Sequence, residues 1–215
     1  MRSFGELHDA QRFPPRATGK GCGLNSHVLH GRAAEMKHRL IGLTGHAGSG
    51  KSAAAEYLMG AYGYQRVKLA GGLKDMLRAI GLTESELEGD LKESPSDLLC
   101  GKSPRHAMQT LGTEWGRDLI GADFWTNTFT RKASGLLAQG FDVVCDDVRF
   151  LNEASAIWHL GGTVVLIERG GLQGSVHVSE SQRVPSDWTV QNDGTLGNLR
   201  RGIDSVLLRI SGKVA

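Results

Sequence analysis

Gly45, Gly50, Lys51 and Ser52 stand in the spacing G-x-x-x-x-G-K-[ST] inside the stretch 39–52, RLIGLTGHAGSGKS. Those residue types in that order suit the binding of a polyphosphate. Glycines let the backbone wrap a phosphate with its N–H groups turned inward, and a helix starting directly behind them adds its positive end. Lys51 is long enough to reach the β- and γ-phosphates of a nucleotide, and the Ser52 hydroxyl suits a Mg²⁺ ion. The bland alternative is a glycine-rich turn with a surface lysine. The apolar run Leu40-Ile41-Gly42-Leu43 before the turn and the alanine-rich segment 52–59 behind it favour phosphate binding. Gly45, His46, Ala47, Gly48, Ser49, Gly50, Lys51 and Ser52 are therefore expected to hold a nucleotide.

Two other groups of residues could do chemistry. Arg105, Gln109, Thr113 and Arg117 recur every four positions, opposite a stripe of Met108, Leu111, Trp115 and Leu119. This is either a core face with a solvated face behind it, or an edge suited to a phosphate and a base. Asp146-Asp147 closes the apolar run 141–145, where a Mg²⁺–nucleotide site would place an acid and where a surface turn would serve as well. The eight histidines fall in no metal-ligand spacing. Cys22, Cys100 and Cys145 are far apart and odd in number, as expected of reduced thiols in a cytoplasm.

The elements that must position these groups alternate along the chain. Apolar runs at 40–43, 64–70, 141–145, 163–168 and 188–190 read as strands. Helical patterns at 52–59, 73–80, 122–138, 149–160 and 195–210, and one starting at Ser103-Pro104, lie between and after them. One strand per crossover implies an α/β fold with a parallel sheet, and ligands at the carboxyl ends of its strands. Residues 83–102 are charged and interrupted by Pro95, as in short helices or loop. Residues 1–35, with Pro14-Pro15 and no apolar period, read as a disordered arm, leaving one domain over 36–215. The polar, Gly- and Ser-containing segment 170–187 reads as a lid. A net charge of only +2 argues against a nucleic-acid polymer as partner, and no apolar run is long enough to cross a membrane.

The segments GHAGSGKS, LKDML, SPRHAMQTLGTEWGRDLIGADFW, DDVRFLNEA, HVSE and VQNDGTLGNL occur in this order between residue 36 and about residue 210. Together they resemble the deoxynucleoside monophosphate kinases of tailed bacteriophages. The phosphate loop is shared widely; the pairing of P-R-x-x-x-Q-x-x-G-T-E with D-V-R-F-x-N-E is much narrower. The resemblance implies a P-loop fold: a five-stranded parallel sheet flanked by helices, with a helical monophosphate-binding insertion and a lid. It also implies a cytoplasmic enzyme using ATP and Mg²⁺ to convert a deoxynucleoside monophosphate to its diphosphate. Lys51, Asp147, Arg149 and Arg169 are then expected at the reacting phosphates, with Ser52 and Asp147 on the metal. Arg105, Gln109, Thr113, Arg117, Trp125, Asn152 and Glu153 form the expected substrate set. His177, Ser179 and Glu180 fall in the lid, where folding the loop is an equally good role. The chain departs from the pattern at Gly71-Gly72, where an acid and a proline are usual, and at Leu151, where proline is usual. The first departure weakens any role for Lys74.

Such an enzyme needs no general base, because the attacking phosphate oxygen is already ionised; positioning and charge stabilisation do the work. Kinases of other small acceptors, such as dephospho-coenzyme A, share the same loop and form the alternative reading. A non-catalytic nucleotide switch is a second one. Neither Asp146-Asp-Val-Arg149 nor Gln191-Asn-Asp-Gly194 is a GTPase motif. The sequence leaves a homodimer open.

Overall fold

A computed structural model of the protein describes residues 39–170 and 184–212. The expected arm at 1–35 and most of the expected lid, with His177, Ser179 and Glu180, lie outside the described residues.

Five strands pair in parallel in the order β2-β3-β1-β4-β5. They are β1 (Leu40–Thr44), β2 (Gln65–Arg66), β3 (Val143–Cys145), β4 (Thr163–Glu168) and β5 (Trp188–Gln191). The central strand β1 is buried along its whole length, which accounts for its unbroken apolar sequence. Gly42 has no room for a side chain, since a Cβ there would lie 2.4 Å from Ile157 Cδ1. Two core layers cover the sheet. Ala54, Ala55 and Leu58 of helix α1 (Lys51–Tyr62) pack with Leu199, Ile203 and Val206 of α7 (Leu196–Ile210) on one face. Phe129 and Ala133 of α5 (Phe124–Ala138) and Ala154 and Ile157 of α6 (Leu151–His159) cover the other.

A third cluster lies in the stretch 71–125 and contains α2 (Gly71–Ala79), α3 (Glu84–Leu87) and two 3₁₀ turns, Asp90–Glu93 and Asp97–Leu99. Leu73, Leu77, Leu82, Leu87 and Trp125 form its buried core. The second strand is much shorter than the run 64–70 suggested. Val67 still gives its N–H to the Val144 carbonyl of β3 at 2.9 Å, but the chain then leaves the sheet, and Leu69 and Ala70 give their N–H groups to a side chain, Asp147, instead of a neighbouring strand.

The helix starting at Pro104 changes type along its length. Helix α4 (Pro104–Thr110) has Ser103 as its cap, and a π-helical segment, Leu111–Ile120, follows directly. There the bonding widens from four residues to five, as in Gly121 N–H to the Gly116 carbonyl at 3.0 Å. Side chains four apart therefore drift around the axis: Met108, Leu111 and Trp115 of the expected apolar stripe pack against the third cluster, but the stripe ends there. Leu119, expected in the core face, is 77% exposed, whereas Gly116 is buried against Trp125.

Candidate active site

The loop between β1 and α1 lies at the carboxyl end of the central strand. Gly45, Gly48 and Gly50 have φ of 137°, 77° and 106°, a region unfavourable to residues with a side chain. At two of them there is also no space. A Cβ on Gly45 would come within 2.2 Å of the Ile167 carbonyl oxygen, and one on Gly50 within 2.4 Å of Asn192 Nδ2. Lys51 folds back onto its own loop, its ammonium donating to the carbonyls of Gly45 at 2.6 Å and His46 at 2.7 Å. Ser52 is exposed in the first turn of α1, and the Ser49 hydroxyl is buried with no hydrogen-bond partner.

The two acids after β3 have different occupations. Asp147, expected on the metal, accepts from Leu69 N–H at 2.8 Å and Ala70 N–H at 3.0 Å, one on each oxygen. The buried Cys145 thiol donates to it as well, at 3.2 Å. Asp147 is thus tied into the loop that leads to α2. Burial and the adjacent Asp147 charge push the Cys145 thiol up. Asp146 is the acid that remains. Its side chain follows Val144 onto the α1 face of the sheet, and its Oδ1 is buried with no protein partner. Its Oδ2 lies 3.7 Å from Arg66 Nε, and Arg66 Nη2 lies 3.9 Å from Glu56, one turn after Ser52 on α1. Among the described residues no three His, Cys, Asp or Glu gather as a dedicated metal cage.

The expected substrate residues divide. Arg105, half exposed, pairs with Glu93 of the first 3₁₀ turn. Arg117 lies over the Phe150 ring, 4.4 Å from its centroid, and donates to Glu153 Oε1 at 3.1 Å. Glu153 is buried and holds the start of α6, its Oε2 accepting from Arg149 N–H at 2.7 Å and Phe150 N–H at 3.1 Å. Burial raises its pKa, against the pull of those N–H groups and of Arg117. Asn152 donates to Asp123 Oδ1 at 3.0 Å. Gln109, Thr113, Arg149 and Arg169 are exposed. Trp125, expected in the substrate set, is 6% exposed, and its indole N–H is taken by the Gly112 carbonyl at 2.8 Å.

Two lysines join this edge that sequence reasoning passed over or discounted. Lys74 is buried, its ammonium 2.7 Å from Glu88, which also receives Lys68 at 3.3 Å. Burial pushes the Glu88 carboxyl up, but the two lysines outweigh it and hold it below the usual range. Burial also lowers the pKa of Lys92, and the positive charges of Lys74, Arg105 and Arg149 lower it further. Lys74, Arg105 and Arg149, from α2, α4 and the segment after β3, thus each lie within electrostatic reach of Lys92 in the first 3₁₀ turn. Lys92 left no signal in the sequence beyond its place in a charged stretch.

A parallel sheet whose central strand feeds a glycine-rich loop, with cations drawn together at the strands' carboxyl ends, is the framework of a P-loop phosphotransferase. Comparison with known proteins narrows the class. The family model for deoxynucleotide monophosphate kinase matches residues 100–203. A protein of Acanthamoeba polyphaga mimivirus assigned that activity is 34% identical over 154 residues, 66% of this chain and 80% of the relative. The deoxynucleotide monophosphate kinase of Escherichia phage RB69 is 28% identical over 122 residues, 54% of this chain and 50% of its own. Among solved structures, TT1252 from Thermus thermophilus is similar at 18% identity and a TM-score of 0.46, covering 80% of this chain and 97% of that one. The chain belongs to the deoxynucleotide monophosphate kinase family.

Proposed function

We propose that residues 36–215 transfer the γ-phosphoryl group of ATP to the phosphate of a deoxynucleoside monophosphate, with donor and acceptor held on separate parts of the fold. Loop 45–52 is the donor side. Its glycines bring backbone N–H groups close to the triphosphate, and Lys51 exchanges its loop carbonyls for the β- and γ-phosphates. The oxygen donors Ser52 and Asp146 would hold Mg²⁺, which neutralises charge on the phosphates when bound. Asp147 acts one step removed, by fixing the loop before α2.

The observation that carries the acceptor side is the gathering of Lys74, Lys92, Arg105 and Arg149. Like charges repel, and the fold sets Glu88 and Glu93 against them as counter-ions. A phosphate dianion arriving there would take over those partners, which is the chemistry expected of the acceptor group. Arg117, held by Glu153 and Phe150, is preorganised next to Arg149, and Arg169, exposed after β4, would close over the acceptor. Calorimetric titration tests this division. Lys92→Gln should weaken binding of a deoxynucleoside monophosphate and leave ATP binding intact; equal loss for both ligands would contradict it.

A further inference from the structure

Asn192 follows β5 and extends its pairing, with its N–H 2.7 Å from the Glu168 carbonyl oxygen. Its side chain leaves the sheet and reaches the glycine-rich loop. Nδ2 donates to the Ser49 carbonyl at 2.8 Å, in a buried setting between residues 143 positions apart. The contact is tight enough that a Cβ on Gly50 would collide with it.

The Ser49 carbonyl has a particular need of this partner. Its neighbours Gly48 and Gly50 both have positive φ, so regular helix does not fix the peptide between them. The first bond of α1 comes one residue later, from Ala54 N–H to the Gly50 carbonyl at 3.0 Å. In a trans peptide the C=O and the following N–H point in opposite directions. Holding the Ser49 oxygen on Asn192 therefore turns the Gly50 N–H to the other side of the loop. Without that bond, the peptide between Ser49 and Gly50 can rotate about Ser49 ψ and the unrestricted φ of Gly50, and the Gly50 N–H is no longer aimed.

We propose that Asn192 is a positioning residue for the donor side of the site: its buried amide sets the Ser49–Gly50 peptide, so that the loop meets the phosphates of ATP already arranged. The inference rests on reading loop 45–52 as the ATP site. It also gives the Asn-Asp-Gly turn a purpose beyond reversing the chain.

The test uses the full chain as wild type, Asn192→Ala and Asn192→Asp. The aspartate keeps the shape but offers no donor to the Ser49 oxygen. Binding of a non-hydrolysable ATP analogue and of deoxynucleoside monophosphates is measured by calorimetry, with KM for each substrate and the thermal midpoint alongside. Both variants should bind the analogue about tenfold more weakly, the scale of one buried hydrogen bond. Monophosphate binding should stay within about twofold. Unchanged analogue binding, or equal loss for both ligands, overturns the inference while leaving the loop as the ATP site. Failure of both variants to fold also overturns it, since Asn192 would then determine the fold and not the aim of a peptide. A folded wild type that binds no analogue removes the parent reading as well.

Discussion

Arg117 donates to the carboxylate of Glu153 at 3.1 Å across 36 positions of sequence, joining the π-helical segment to the first turn of α6. The acid side chain is only 6% exposed and the arginine 26%, so the pair is largely shielded from solvent. Removing one partner of such a pair strands the other. Glu153→Ala should lower stability by about 3 kcal/mol, measured by urea denaturation, since it also strips the acceptor from Arg149 and Phe150 N–H.

The same residue gives a pH dependence. Burial raises the Glu153 pKa in the folded state, so folding binds its proton more tightly than the unfolded chain does. Stability from this group is full below the unfolded carboxylate value and is lost as pH rises through the raised one. The stability of wild type relative to Glu153→Gln should therefore be greater at the acid end of that window than at neutral pH. A difference independent of pH would mean that Glu153 titrates normally.

Arg105→Ala should raise KM for the monophosphate about ten- to a hundred-fold, the worth of one charge-assisted bond to a phosphate, and leave KM for ATP nearly unchanged. Steady-state kinetics with each substrate varied in turn reads this directly. A variant indistinguishable from wild type would make the Arg105–Glu93 pair surface decoration.

The two acids after β3 should separate in the same assay. Asp146→Asn should raise the Mg²⁺ concentration needed for half-maximal rate with little change in thermal midpoint. Asp147→Asn places an amide where two backbone N–H groups need acceptors, and should cost about 1–3 kcal/mol of stability. The reverse pattern would return the metal to Asp147.

Much of this was legible in the residues. The strand Thr163–Glu168, the helix start at Ser103-Pro104 and the glycine spacing follow from local rules, and the structure keeps them. What stayed hidden was set by contacts distant in sequence. The period of 105–117 assumes an α-helix, and a π-helical segment breaks it. Asp146 and Asp147 are adjacent in the chain, and only the faces of the sheet tell them apart. The contacts of Trp125 with Gly112 and Gly116 join it to the π-helical segment, which its place in the helical pattern 122–138 did not show. Lys92 gains meaning only when α2, α4 and the end of β3 surround it.

Gly116→Ala tests that packing, since the added Cβ would lie 2.4 Å from Trp125 Nε1. The overlap should cost about 1–3 kcal/mol in denaturant unfolding. An unperturbed stability would show the aromatic cluster to be looser than described.

The central claim is phosphoryl transfer from ATP held on the Lys51 loop to a monophosphate held on the basic edge. The most direct measurement incubates the full chain with ATP, Mg²⁺ and each of the four deoxynucleoside monophosphates, with dephospho-coenzyme A as a fifth acceptor, and separates the products by chromatography. At least one deoxynucleoside diphosphate should form, with one ADP per molecule, and Lys51→Ala, shown folded by circular dichroism, should lose nearly all of that rate. No diphosphate from any of the four, with dephospho-coenzyme A phosphorylated instead or ADP released with no acceptor present, would contradict the account.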